Sequence, residues 1–162
     1  MLDRLNRLLR AFAPGAAGKA AISFDEDDHR VAAAGLLVHA MNADGVRSPS
    51  EITRVEALLR ERFSLDEREV RSLIAAADRR RGEAVDFNAF TGIVKRAYAP
   101  EGRARIVEMM WEIVFADGSL HEFEDNMVWR VGEIIGVPAD ERERIRRKVA
   151  DMRGIDIAEA GE

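Results

Sequence analysis

Two stretches of the chain hold carboxylates in a spacing that could bind a cation. NADGVRSPSE at 42–51 and FADGSLHEFE at 115–124 each carry Ala-Asp-Gly and then a glutamate seven residues after the aspartate. The second copy lies 73 residues after the first, so Ala43, Asp44, Gly45, Glu51 and Val55 recur as Ala116, Asp117, Gly118, Glu124 and Val128. Oxygen ligands of this kind suit hard divalent ions such as Ca²⁺, Mg²⁺ or Mn²⁺. The residue five before each aspartate is also a potential donor: His39 in the first copy and Glu112 in the second. A histidine would tilt the preference toward Mn²⁺ or Zn²⁺. Four carboxylates brought together without a counter-ion would repel one another, and a bound cation removes that cost.

Helix punctuation alone accounts for part of the pattern. Asp-Gly is a common turn dipeptide, and Glu51 reads as the reciprocal member of a capping box with Ser48. Against this, an aspartate at a helix C-terminus faces the negative end of the dipole, at a cost of roughly 0.3–1 kcal/mol, and it does so in both copies. His39, set among apolar neighbours in LLVHAM, reads first as a partly buried, satisfied histidine and second as a ligand. An EF-hand is excluded: its loop needs glycine at position 6 and glutamate at 12, whereas here glycine follows the aspartate directly.

The elements that must position these groups are helical. Asp27 or Asp28 should cap a helix carrying Val31, Leu37, Val38 and Met41 that ends at Asp44-Gly45. Ser48-Pro49-Ser50-Glu51 starts the next, with Ile52, Val55, Leu58, Leu59 and Phe63 as its buried face. Ser64 to Glu67 opens a helix through Val70, Leu73 and Ile74 to Gly82, and Asp86 caps one through Phe87, Phe90, Ile93, Val94 and Tyr98. Pro100 opens a helix with Ile106, Met109, Met110, Ile113 and Val114 inside. After the second Asp-Gly turn comes a helix with Phe123, Met127, Val128, Val131, Ile134 and Ile135 inside, stopped by Gly136. Pro138 begins a last, charged helix with Ile145, Val149 and Met152 on its inner side. No period-two stretch stands out, so the chain reads as all-α, a compact bundle of seven or eight helices built on two repeated αα-hairpins. Trp111 and Trp129 fall at core spacing.

Residues 1–23 form a separate unit, an amphipathic segment and flexible linker; 24–153 is the helical domain and 154–162 a frayed tail. Leu2, Leu5, Leu8, Leu9 and Phe12 share one helical stripe interrupted by Arg4, Arg7 and Arg10, which breaks the apolar core that a secretory signal requires. That stripe fits packing on the domain or a partner, shallow docking of residues 1–12 at a membrane surface, or a transit peptide.

Bulk numbers exclude several classes. The 162 residues are 47% hydrophobic and 34% charged, with net charge −5 and no cysteine. A negative chain has no global field for nucleic acid, and thiolate metal sites and disulfides are ruled out. The basic run Arg79-Arg80-Arg81 complements a helix C-terminus. No P-loop, dinucleotide fingerprint or nucleophile motif is present, and the three histidines (His29, His39, His121) support no triad. No small-molecule substrate is evident, so the chain reads as a non-enzyme.

The paired hooks and their flanks, FDEDDHRVAAAGLLVHAMNADG and RIVEMMWEIVFADGSLHEFEDNMVWRVGEIIGVP, resemble the TerB family, the tellurite-resistance-associated proteins. The resemblance runs from about Phe24 to Met152. It implies a helical bundle, cytoplasmic or at the inner membrane face, in bacterial responses to tellurite and other toxic agents. It further implies divalent metal held by acidic clusters, and action through protein partners, including a membrane protein of the same system. A similar domain begins a membrane-anchored J-domain co-chaperone, which supports docking on partners without metal as the alternative. The family's acidic signature falls here on Asp44, Glu51, Asp117 and Glu124, with Glu122 and Asp125 as outer additions. Ser48-Pro49 against His121-Glu122 is a departure from equivalence between the two hooks.

Overall fold

The computed structural model describes residues 28–42, 49–82 and 87–157, and all regular structure among them is helical. Seven helices lie there: α1 (His29–Met41), α2 (Pro49–Phe63), α3 (Glu67–Gly82), α4 (Phe87–Ala97), α5 (Pro100–Val114), α6 (Glu122–Ile134) and α7 (Ala139–Met152). The amphipathic segment in 1–23, the Asp44-Gly45 turn, the Ser48 and Asp86 caps and residues 158–162 fall outside the described residues.

Helix α1 is the axis of the bundle. Ten of its thirteen residues are buried, because Ala, Leu, Val and Met surround it on every side, and such a helix needs partners all round. It packs on α2, α3, α4 and α5. Gly35 is what lets α4 in: a Cβ there would lie 2.7 Å from the Phe90 ring. Asp28 caps α1, accepting from the Arg30 N–H at 2.8 Å. Burial works against its charge, but the Arg30 guanidinium and backbone outweigh it and hold the carboxyl below the usual aspartate value.

Helix α5 is the second core element, buried from Ala104 through Val114 on most of its circumference and packed on α1, α2, α6 and α7. Prolines open helices where the sequence places them: Pro49 and Pro100 are first residues, and Pro138 precedes α7. The α2–α3 break falls at Ser64, the one described non-glycine residue with positive φ (53°). Asp66 and Glu69 then exchange bonds as a capping box, at 2.8 and 3.3 Å. At the end of α6, Arg142 donates to the carbonyls of Val137 and Trp129 at 3.0 and 3.1 Å and lies 4.4 Å over the Trp129 ring.

Several positions expected inside are not. Ile52 is 37%, Ile134 38%, Met152 61% and Phe123 69% exposed. In exchange the core admits polar side chains: Glu51, Glu69, Glu112, Glu124, Asp125 and Arg142 are all buried. Trp111 is fully buried as expected, and Trp129 packs against the core half-buried. Ile155, assigned by sequence to the tail, is buried, and Ile157 also packs on the core.

Candidate metal centre

The second turn is described in full. Phe115 ends α5, and Gly118, at φ 77°, reverses the chain. Asp117 is exposed and locally tied: its Oδ1 accepts the Ser119 N–H at 2.9 Å, and its Oδ2 lies 2.9 Å from His121 Nε2. Partial burial pushes its pKa up, but the His121 and Ser119 hydrogen bonds win, so the carboxyl sits below the ordinary aspartate value. Asp117 is therefore a charged acceptor at neutral pH. His121 precedes α6 in the capping position yet makes no side-chain capping bond; its ring turns to Asp117 instead.

Glu124, in the first turn of α6, is 1% exposed, and Glu51, in the first turn of α2, is 7% exposed. Glu112, near the end of α5, is 5% exposed. Arg54 Nη2 approaches Glu112 Oε2 at 3.4 Å, too skewed for a hydrogen bond, so among the described residues that buried oxygen accepts none. His39 lies half-buried in the last turn of α1. Asp44 lies outside the described residues.

The Arg54–Glu112 contact joins the start of α2 to the end of α5. Beside it an open cleft of about 400 Å³ is lined by Pro49, Ser50, Thr53, Arg54, Ala57, Ala116 and Arg153. Ala116 precedes Asp117, and Ser50 precedes Glu51. The second turn thus borders the start of the helix that carries the first hook's glutamate. Among the described residues, no three His, Asp or Glu side chains form a group able to hold one ion.

Asp125 corrects the sequence reading. Expected as an outer addition to the metal site, it is instead committed to the core: Trp111 Nε1–H donates to it at 3.0 Å, and Arg146 donates twice, at 2.8 and 2.6 Å. Burial alone would lower the Arg146 pKa, but the Asp125 carboxylate raises it. Glu122 is exposed. Arg54 and Arg146 escaped the sequence reading, since each pairs with a carboxylate distant in the chain, as did Arg153, which lines the cleft.

The residues expected to bind an ion are mostly oxygen donors, the ligand type that suits a hard divalent cation. Carboxylate oxygens dominate, one buried oxygen is short of hydrogen bonds, and Asp117 is held ionised at an accessible turn. Bound there, an ion would supply charge neutralisation.

The TerB family model, described as "Tellurite resistance protein TerB", matches residues 30–147. No curated protein and no solved structure gives a significant match. Among the described residues, no helix is long and apolar enough to cross a membrane. The all-helical architecture and a match across most of its length make this chain a member of the TerB family.

Proposed function

We propose that this chain is a non-enzymatic bacterial stress-response module of the tellurite-resistance type. In this reading it binds a divalent ion (Ca²⁺, Mg²⁺, Mn²⁺ or Zn²⁺) through Asp44, Glu51, Asp117 and Glu124, with His39 and Glu112 as adjoining donors. It acts through a protein partner, in the cytoplasm or at the inner membrane face, where residues 1–12 would make peripheral contact. The observation that carries the reading is the shared cleft: Pro49 and Ser50 at the start of α2 and Ala116 of the second turn line one opening. That neighbourhood of the start of α2 and the second turn supports the reading that Glu51 and the second hook could share one ion. An ion between them would offset the mutual repulsion of their carboxylates.

Calorimetry with each of the four ions, on the protein and on the Asp44→Ala/Asp117→Ala variant, tests it. Saturable heat in the first and none in the second is the expected result. Equal heat in both, or none in either, removes metal from the account.

One observation favours a second reading. Phe123 is 69% exposed beside the second turn, and a large aromatic left in water at a helix start suits contact with a protein surface. If partner docking needs no ion, Phe123→Ser weakens partner capture while a chelator leaves it unchanged.

A further inference from the structure

The cleft beside the second turn has a lining opposite in sign to the hooks. In a chain of net charge −5, none of the described residues that border it is acidic and two are arginines, Arg54 and Arg153. We propose that this cleft is a binding site for a phosphate group, free or as a monoester, held by the two guanidiniums and the hydroxyls of Ser50 and Thr53. It uses none of the hook carboxylates and so stands apart from the metal reading.

Arg153 carries most of the weight. It directly follows α7, and its backbone carbonyl lies 4.0 Å from the position that a Cβ on Gly118 would take, against the second turn. The residue is half-buried at the cleft, and its guanidinium has neither hydrogen bond nor ion pair among the described residues. By contrast Arg142, Arg144, Arg146 and Arg147 of α7 each have a carbonyl or carboxylate partner. Arg54 is committed only in part: its Nη2 approaches Glu112 at 3.4 Å, and its buried Nε–H donates to nothing among the described residues. The nearby carboxylates leave this positive lining open to an anion. Glu51 and Glu112 are buried, and Asp117 is bonded to Ser119 and His121.

Guanidinium forks pair with oxyanions through two parallel bonds. Phosphate suits the lining better than carboxylate, since it adds a third acceptor oxygen for the hydroxyls and carries nearly two charges at neutral pH. Ser50 lies in the first turn of α2 and Thr53 just beyond it, at the helix end whose dipole favours an anion. The volume of about 400 Å³ exceeds a bare phosphate and falls in the range of small-ligand sites. Pro49, Ala57 and Ala116 supply an apolar wall for an organic substituent.

The test is backbone amide NMR of the full chain with a chelator present, at about pH 7.5, where a phosphate monoester is mostly a dianion. Sodium phosphate, phenyl phosphate and sodium acetate are titrated separately at constant ionic strength. Phosphate should shift the amides of residues 50–54, 57, 116 and 153 saturably. Arg153→Gln should weaken it about tenfold or more, the cost of losing a hydrogen bond to a charged group. Arg130→Gln, which removes the same charge from an exposed position on α6, should bind within about twofold of the parent. Tighter binding of phenyl phosphate than of phosphate assigns the site to a monoester, and the reverse or equality assigns it to the free ion. No saturable shift in the parent overturns the proposal. So does Arg153→Gln binding within about twofold of the parent, equal weakening by Arg130→Gln, or acetate as tight as phosphate. The chelator keeps failure here distinct from failure of the metal reading, which the calorimetry decides. The Arg153 side chain holds no bond in the fold, so the variant should retain its helicity, and circular dichroism verifies this.

Discussion

Helices α2 and α6 begin alike and then part ways. Each carries a buried glutamate in its first turn, Glu51 and Glu124. One position later α2 has Ile52, turned outward, and α6 has Asp125, turned inward. Hydrophobicity alone would assign those two the other way round. What decides is the neighbour: α5 and α7 offer Asp125 an indole N–H and a forked guanidinium. A buried charge is tolerated where it is paired and hydrogen-bonded. The same offset aligns Leu59, fully buried in α2, with Gly132 in α6, where the stem of Arg142 takes the space a side chain would need. The two helices thus keep the glutamate and differ in what surrounds it.

The sharpest way to break this contrast is Asp125→Ala. It strands a buried indole N–H and a mostly buried Arg146, and loss of one partner of such a pair typically costs about 3–5 kcal/mol; urea unfolding measures it. A loss under about 1 kcal/mol would mean that the network does not hold α6. Next comes Gly132→Ala. Its Cβ would sit 2.8 Å from Arg142 Cδ, and because two carbonyls hold that guanidinium, the overpacking should cost about 1–3 kcal/mol.

Helix starts sharpen the comparison further. Asp28 caps α1 with its side chain, whereas His121 does not cap α6. Asp28→Ala should cost about 1 kcal/mol at neutral pH. The folded-state pKa of Asp28 is depressed, so its contribution is present above the unfolded value of about 3.9. It is lost as pH falls below that value through the folded one. Melting temperatures of parent and variant should therefore converge in acid. The smallest effect belongs to Ile52→Asp, which writes the α6 residue into α2: with Ile52 already exposed, stability should stay within about 0.5 kcal/mol.

Much of this architecture was legible in the chain. Pro49, Pro100 and Pro138 announce helix starts because proline fixes φ and gives up only an N–H that a first turn leaves unused. Gly136 marks a stop and Gly118 a reversal; both adopt positive φ. Apolar periodicity placed Ile106, Met109, Met110, Ile113 and Val114 correctly inside α5. The same rule failed at Ile52, Phe123 and Met152, since it ranks positions by side-chain type and cannot see which face meets a partner. Glu51 shares its face with Val55, Leu58 and Leu59 at helical spacing, a signal that its burial obeys. Asp125 left no such trace, because its partners Trp111 and Arg146 lie 14 and 21 residues away. The repeat singled out Glu51 and Glu112 but left open whether its two turns meet, and the Arg54–Glu112 contact depends on tertiary packing that spacing does not encode.

The central claim is that both hooks serve one ion, and non-additivity tests it most directly. The measurement is the stability gained from a saturating divalent ion by the parent, Glu51→Gln, Glu124→Gln and the double variant. At a hundredfold excess over Kd that gain is about 2.7 kcal/mol for the parent. A shared ion predicts that each single substitution removes most of the gain and that the second adds little. Half the gain lost in each single variant, with all of it lost only in the double, would contradict the claim and leave two independent half-sites.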